Sequence, residues 1–192
     1  MSLEHTYARM WDCLAAAACE ENNPFKVMQA ATIGLDGGPA VRTVLLRRVS
    51  ERENLLAFHT DLRSPKIAEL TRDPRIALVA VDPVRNLQVR VSGEARIVRT
   101  GQARLDAWRS SPDHDLVVYR TRLAPGTPMN DPEEALDETH PMPDPDEGLR
   151  HFCVVEVRPT SLDWLEHLTA ERQQRASFVR DGDIWLRKWI AP

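Results

Sequence analysis

Along most of the chain the apolar positions fall into short runs, alternating or continuous, separated by Gly, Pro, Asn and Asp. The first segment differs. Residues 4–20 place Tyr7, Met10, Trp11 and Leu14 at helical spacing and continue into an alanine run of high helix propensity. Asn22-Asn23-Pro24 ends this helix, because proline cannot continue it and disfavours helix at the residue before. Strands are predicted over 25–35 and 40–49, joined by the turn Asp36-Gly37-Gly38-Pro39, and a third over 55–59. A short helix follows, with Ser64 as cap, Pro65 at the first helical position and Ile67 and Leu70 as its apolar stripe. Asp73-Pro74 breaks it.

Residues 75–81 are almost continuously apolar, as suits a strand buried on both faces. Residues 87–92 alternate, and Gly93 permits a bulge or turn into another strand over 94–98. A helix is predicted over 101–110, with Leu105 and Trp108 inward; Trp11 and Trp108 are assigned to the core. From Leu123 to Leu149 the periodicity dissolves into six prolines and many acids, which reads as an ordered surface excursion or a disordered insertion. A strand is expected over 152–157, a turn or short helical segment over 161–168, and a hairpin of residues 176–180 and 184–190 around Asp181-Gly182-Asp183. Six or seven strands with a few short helices predict a mainly-β fold, a β-barrel with helices packed at its ends.

Composition adds constraints to this picture. The length of 192 residues fits one domain over residues 1–192. The net charge of −4 gives no global attraction to nucleic acid or to an anionic membrane. Locally the balance differs: residues 42–99 hold twelve Lys/Arg against seven Asp/Glu, whereas residues 131–147 hold eight acids and no Lys or Arg. Three cysteines without a C-x-x-C spacing point to a reducing compartment. The chain opens without a basic region, and no apolar run is long enough to span a bilayer. A soluble cytoplasmic protein without signal peptide or anchor is expected.

Candidate chemistry concentrates between Arg42 and Gly93. Alternation puts Arg42, Val44, Leu46 and Arg48 on one face of the second strand and Thr43, Leu45 and Arg47 on the other. Arginines snorkelling to solvent from strand ends account for that spacing without any ligand. Thr60, Arg63, Ser64 and Lys66 gather at the start of the short helix, where free N–H groups and positive partial charge suit a phosphate monoester. A capping serine beside a solvated lysine is the plainer account of the same residues. Gln88 has an amide that can read a heterocycle's edge or simply face water. Trp164, Trp185 and Trp189 can wall an aromatic cofactor or fill core. The six histidines show no metal-ligand spacing, and the chain lacks a Gly-x-Ser-x-Gly, a Gly-x-Gly-x-x-Gly and a nucleotide-hydrolase phosphate loop. Any enzymatic activity would therefore lean on a bound cofactor.

Five stretches carry a resemblance. Arg42-Thr43-Val44-Leu45-Leu46-Arg47, Phe58-His59-Thr60, Ser64-Pro65-Lys66-Ile67-Ala68-Glu69-Leu70 with Asp73-Pro74-Arg75, Leu87-Gln88-Val89-Arg90-Val91-Ser92-Gly93, and the ending from Asp183 to Pro192 resemble the pyridoxamine 5′-phosphate oxidase family. The similarity covers residues 25–100 and 150–192. It implies a split β-barrel, noncovalent FMN, and a homodimer with flavin in the subunit interface. Residue by residue, it implies that Arg42 to Arg47 run beside the flavin, with Arg47 where lysine is usual. His59 and Thr60 would lie near the cofactor, in place of a Tyr-Thr pair. Ser64 and Lys66 would hold the phosphate, with Pro65 replacing a basic residue. Gln88 would face the ring from the partner subunit, and Trp164 and Arg175 are the late flavin contacts, one residue off the family spacing.

The Arg-Leu-His-Asp-Arg run that reads the oxidase's substrate is here Glu171-Arg172-Gln173-Gln174-Arg175. An acid at that point repels a substrate phosphate, so vitamin B6 oxidation is not expected. The resemblance thus implies an FMN-dependent oxidoreductase of unassigned substrate. A non-catalytic flavin or haem binder on the same barrel is the alternative, although no histidine has an obvious axial role. Single-stranded nucleic acid ranks last, since residues 42–99 offer Phe58 alone for stacking.

Overall fold

The computed structural model describes residues 2–135, 145–169 and 172–192. The N-terminal helix α1 (Leu3–Cys19) starts at Ser2, whose side chain accepts from the backbone N–H of His5, and buries Tyr7, Met10, Trp11 and Leu14. Phe25 falls in a 3-10 turn (Pro24–Lys26) instead of a strand, because the Asn23 side chain accepts from its backbone N–H. Strands β1 (Val27–Ile33), β2 (Pro39–Ser50) and β3 (Leu55–Asp61) are followed by α2 (Pro65–Arg72), β4 (Arg75–Asp82) and β5 (Leu87–Val98). Helices α3 (Gln102–Ser110), α4 (Asp113–Leu116) and α5 (Pro145–Leu149) precede β6 (Phe152–Thr169), β7 (Arg172–Asp181) and β8 (Ile184–Ile190). Of the excursion expected over 123–149, residues 136–144 lie outside the described residues.

Among the described residues, eight strands join one antiparallel sheet in the order β3-β2-β1-β4-β5-β6-β7-β8. A further pairing of β3 with β6 closes six of them into a ring, and β7 and β8 extend beyond it. This is the expected mainly-β fold, a ring of strands resembling a split barrel with helices around it. The interior is packed by Met28, Val44, Leu46, Phe58, Leu78 and Val89, with α1 covering the extension through Tyr7 and Phe178, whose ring centroids lie 5.3 Å apart. A second apolar cluster sits outside the ring, where Trp108 of α3, Leu116 of α4 and Tyr119 cover Ala57, Phe152 and Val154. Because of that cover, β3 and the first half of β6 are buried on both faces.

Other expectations change. β4 is buried on one face only, with Ile76, Leu78 and Ala80 inward and Val81 exposed, because no helix covers its outer side among the described residues. Residues 161–168 are neither turn nor helix: β6 runs unbroken through them to Thr169. The alternation of Leu162, Trp164 and Glu166 as buried residues would have identified a strand, but Pro159 and the polar Thr160-Ser161 obscured it. Residues 87–98 form one strand instead of two. The bulge falls between Ser92 and Gly93, which pair with Ser161 and Pro159 and leave Thr160 as the extra residue on β6. Gly93 is required there by close approach, since a Cβ would sit 2.2 Å from the carbonyl oxygen of Arg158. The β7–β8 hairpin forms as expected, with Gly182 and Asp183 as its two loop residues and Gly182 at φ +57°.

Gly93→Ala is expected to destabilise the fold by about 1–3 kcal/mol through overpacking at a backbone contact. A lowered urea midpoint with unchanged denaturant slope checks this.

Candidate functional site

The sheet's outer face carries Thr43, Leu45, His59, Gln88 and Arg175 among the residues singled out in the sequence. Thr43 and Leu45 point outward from β2, while Val44 and Leu46 are buried in the interior. Leu45 pairs with Val27, Val81 pairs with Gln88, Gln88 pairs with Leu165, and Leu165 pairs with Arg175. His59 lies on the outer side of β3, adjoining the Leu46–Phe58 pair. The stretch between its two ends is apolar and open, with Val27 at 48%, Val41 at 64%, Leu45 at 39% and Val81 at 49% exposure.

The bulge in β2 alters the expected alternation. Leu46 pairs with Phe58 but Arg48 pairs with Ala57, so Arg47 is the unpaired residue. The extra residue reverses the facing of the rest of the strand, and Arg48 therefore does not share the inward face of Val44 and Leu46. The Arg47 guanidinium instead reaches Asp115 of α4 at 2.9 Å.

Trp164 also departs from expectation. It is fully buried, on the opposite face of β6 from Gln88 and Arg175, beneath the guanidinium of Arg9 at 5.0 Å from its ring centroid. The residue set between Gln88 and Arg175 is Leu165. A shift of one residue changes the face of a strand, so the one-residue irregularity in the Trp164–Arg175 spacing was the available signal. Trp185 packs partly against the core and Trp189 is exposed.

A second group lies where β3 meets α2. Lys66 Nζ donates to Thr60 Oγ1 at 2.9 Å and to Ser64 Oγ at 2.6 Å. Ser64 occupies the N-cap of α2, yet its side chain makes no capping bond. Arg63 is turned elsewhere, pairing with Asp61 at 2.6 Å and donating to the carbonyl of Thr121 at 2.8 Å. Arg42 pairs with the buried Glu69 of α2 at 2.6 Å, and Thr32 donates to the same carboxylate at 2.5 Å. That network docks α2 on the barrel, and losing one partner would leave a buried charge uncompensated.

Charge is therefore unevenly satisfied. Arg42, Arg47 and Arg175 each have a carboxylate, namely Glu69, Asp115 and Asp163, the last at 2.9 Å. Lys66 has no carboxylate within ion-pairing distance among the described residues. Burial, and then the charge of Arg42, lower its pKa. The Gln88 amide is fixed by its neighbour, its oxygen accepting from Arg90 Nε at 2.8 Å and Nη2 at 2.9 Å. His59 lies edge-on to Phe152 at 4.9 Å, with Nδ1 3.4 Å from Ser111 Oγ. Burial, and then Arg47, push its pKa down to about 4.

A ring of antiparallel strands with an uncapped helix start, an uncompensated lysine and an open apolar outer face defines a barrel suited to a phosphorylated ligand. The comparisons give that class a family. The family model described as pyridoxamine 5′-phosphate oxidase, FMN-binding domain, matches residues 8–99. The chain is 30% identical to the pyridoxine/pyridoxamine 5′-phosphate oxidase of Thermosynechococcus vestitus, over 96% of this chain and 86% of that protein. It is 28% identical to pyridoxine/pyridoxamine 5′-phosphate oxidase 2 of Arabidopsis thaliana, over 87% and 88% of the two chains. The crystal structure of a pyridoxamine 5′-phosphate oxidase-related, FMN-binding protein from Nostoc punctiforme superposes with a TM-score of 0.80 at 26% identity, over 100% of both chains. The chain belongs to the pyridoxamine 5′-phosphate oxidase family, and FMN is the cofactor of the domain it carries.

The depressed pKa of His59 fixes the sign of an acid effect. Above the unfolded value of about 6.5 both states hold a neutral imidazole and His59 contributes nothing. As pH falls toward 4 the unfolded state takes up the proton first, so stability declines. His59→Gln is expected to shrink the difference between urea midpoints measured at pH 7 and pH 4.5.

Proposed function

We propose that this protein is an FMN-dependent oxidoreductase that works as a homodimer, with the flavin phosphate at Lys66 and the ring between the outer faces of two copies. The observation that carries this reading is the charge imbalance: Lys66 alone of the four expected cations donates only to neutral hydroxyls. A phosphate ester supplies the missing counter-charge, and the positive end of the α2 dipole adds to it, although Pro65 has no N–H and those of Ser64 and Ile67 are taken by the carbonyls of Asp61 and Ser64. Thr60, Ser64 and Lys66 hold the phosphate in this reading, and Arg42, paired with Glu69, keeps α2 docked beside it. When bound, FMN supplies the hydride or electron transfer.

The remaining roles follow from the outer face. Gln88, held by Arg90, presents its amide nitrogen, and Leu45, Val27 and Val81 exclude water. Leu45, Val27 and Val81 form an exposed apolar stretch on the outer face between His59 on β3 and Gln88 on β5. An isologous pairing brings the Gln88 end of one copy to the Leu45 end of another and covers the exposed valines. His59 is neutral near pH 7 and adds no charge to the site.

The substrate is read as something other than a vitamin B6 phosphate. Gln173 replaces the substrate-reading histidine and is exposed opposite His167 on β7. Glu171, which replaces the arginine, lies outside the described residues.

Lys66→Ala is expected to weaken FMN by about tenfold or more, the worth of a charge-assisted hydrogen bond, and riboflavin far less. Flavin fluorescence titration decides this, and equal losses would remove Lys66 from the phosphate site. Leu45→Glu is expected to give a monomer by light scattering that loses its flavin absorbance; a flavin-loaded monomer would refute the shared site.

A further inference from the structure

We infer that Glu69 is a positioning residue that holds the phosphate site at a single net positive charge, which keeps the flavin-free site folded and weakens its grip on the FMN phosphate. The inference rests on the FMN reading above and adds to it what sets the strength of cofactor binding. Glu69 stands three residues after Lys66 on α2, so the two are neighbours on the helix surface. It is 6% exposed, and its Oε2 accepts from the Arg42 guanidinium at 2.6 Å and from the Thr32 hydroxyl at 2.5 Å. Arg42 also donates to Thr32 Oγ1, which closes a triangle of side chains from β1, β2 and α2.

That triangle lies within electrostatic reach of the phosphate lysine. After burial, the charge of Arg42 does most to lower the Lys66 pKa, and Cys153, Asp61 and Glu69 act the other way. Lys66 and Arg42 are thus two cations in one site, and Glu69 offsets one of them. The neighbouring Arg63 and Asp61, paired at 2.6 Å, cancel each other. Two partly buried like charges without a counter-ion would destabilise the empty barrel, and Glu69 removes that penalty. A bound phosphate meets the same carboxylate as a like charge one helical turn from its lysine, and the repulsion weakens binding.

The rival account is a strut that fastens α2 to the barrel and has no bearing on charge. Glu69→Gln keeps the shape and an acceptor for Arg42 but removes the charge. Titration of the flavin-free protein with FMN and with riboflavin, followed by flavin fluorescence, separates the two accounts. The variant is expected to bind FMN about fivefold tighter or more and riboflavin within about twofold of wild type, since riboflavin has no phosphate to feel the change. Its flavin-free thermal midpoint is expected to fall, because Arg42 loses its counter-ion. A strut predicts the reverse for FMN, because a loosened α2 carries Lys66 away. A smaller gain for FMN, a loss, a gain shared by riboflavin, or a midpoint that does not fall overturns the inference. Arg42→Leu/Glu69→Leu removes both charges and stands in if the glutamine variant does not fold. Its FMN affinity is expected to stay within about twofold of wild type, as the net charge is unchanged, and any larger shift overturns the inference. A wild type that takes up no FMN, or binds riboflavin as tightly, defeats the underlying reading. A wild type that prefers FMN, with a variant that gains nothing, defeats this step alone.

Discussion

The constraint on which the rest of the structure depends is the double duty of β6. Its first half hydrogen-bonds β3 on one side and β5 on the other, which closes the ring; its second half passes between β5 and β7 and carries the hairpin outward. One strand can serve both only if it bends, and the bulge opposite Gly93 supplies the bend. The extra residue also reverses which side chains face in. Cys153, Val155 and Val157 point inward before it, and Leu162 and Trp164 after it. Leu165 is thereby turned outward beside Gln88 and Arg175, and Trp164 is committed to packing under α1.

The bulge in β2 does the same at the other end of the face. Without it Arg47 would join the ladder opposite β3; with it, the guanidinium leaves the sheet for α4. Two insertions of a single residue therefore decide where the polar groups of the outer face stand. The cost of burying charge decides what they do next. Arg42, Arg47 and Arg175 are tied to carboxylates within the chain, as partly buried cations usually must be. Lys66 is the exception, and an unbalanced charge at a helix start is more informative about ligands than the number of arginines.

Much of this was legible in the sequence. The helix over Leu3–Cys19, the strands around Val44, Leu78 and Val89, and the Gly182 hairpin all follow from periodicity and turn residues. The order of short motifs indicated the family and the Thr60, Ser64 and Lys66 grouping, because those residues are close in sequence and one helix start brings them together. Bulges were harder to read. Gly93 announced one as an option, but nothing in Leu46-Arg47-Arg48 distinguishes an ordinary pair from a bulge, since both arginines tolerate solvent. The facing of Trp164 depended on the unseen bulge in the same strand. Ion pairs such as Arg47–Asp115 and Arg42–Glu69 join residues 68 and 27 positions apart, a separation that local pattern cannot register.

These partners also divide the molecule into parts with different freedom. Thr60, Ser64, Lys66 and Gln88 belong to the ring or to the helix docked on it, so their positions are set by ladder bonds and by the Arg42–Glu69 network. Asp115, Ser111 and Tyr119 belong to the cover over β3, which is held by the packing of Trp108, Leu116 and Tyr119 on Phe152. A change in that cover alters the surroundings of Arg47 and His59 without disturbing a strand pairing. In the proposed reading, cofactor recognition is thus built into the barrel, while the cover is fastened to it by packing and by the Arg47–Asp115 pair. A rigid frame with a more variable segment over it is the arrangement by which one fold accepts many substrates.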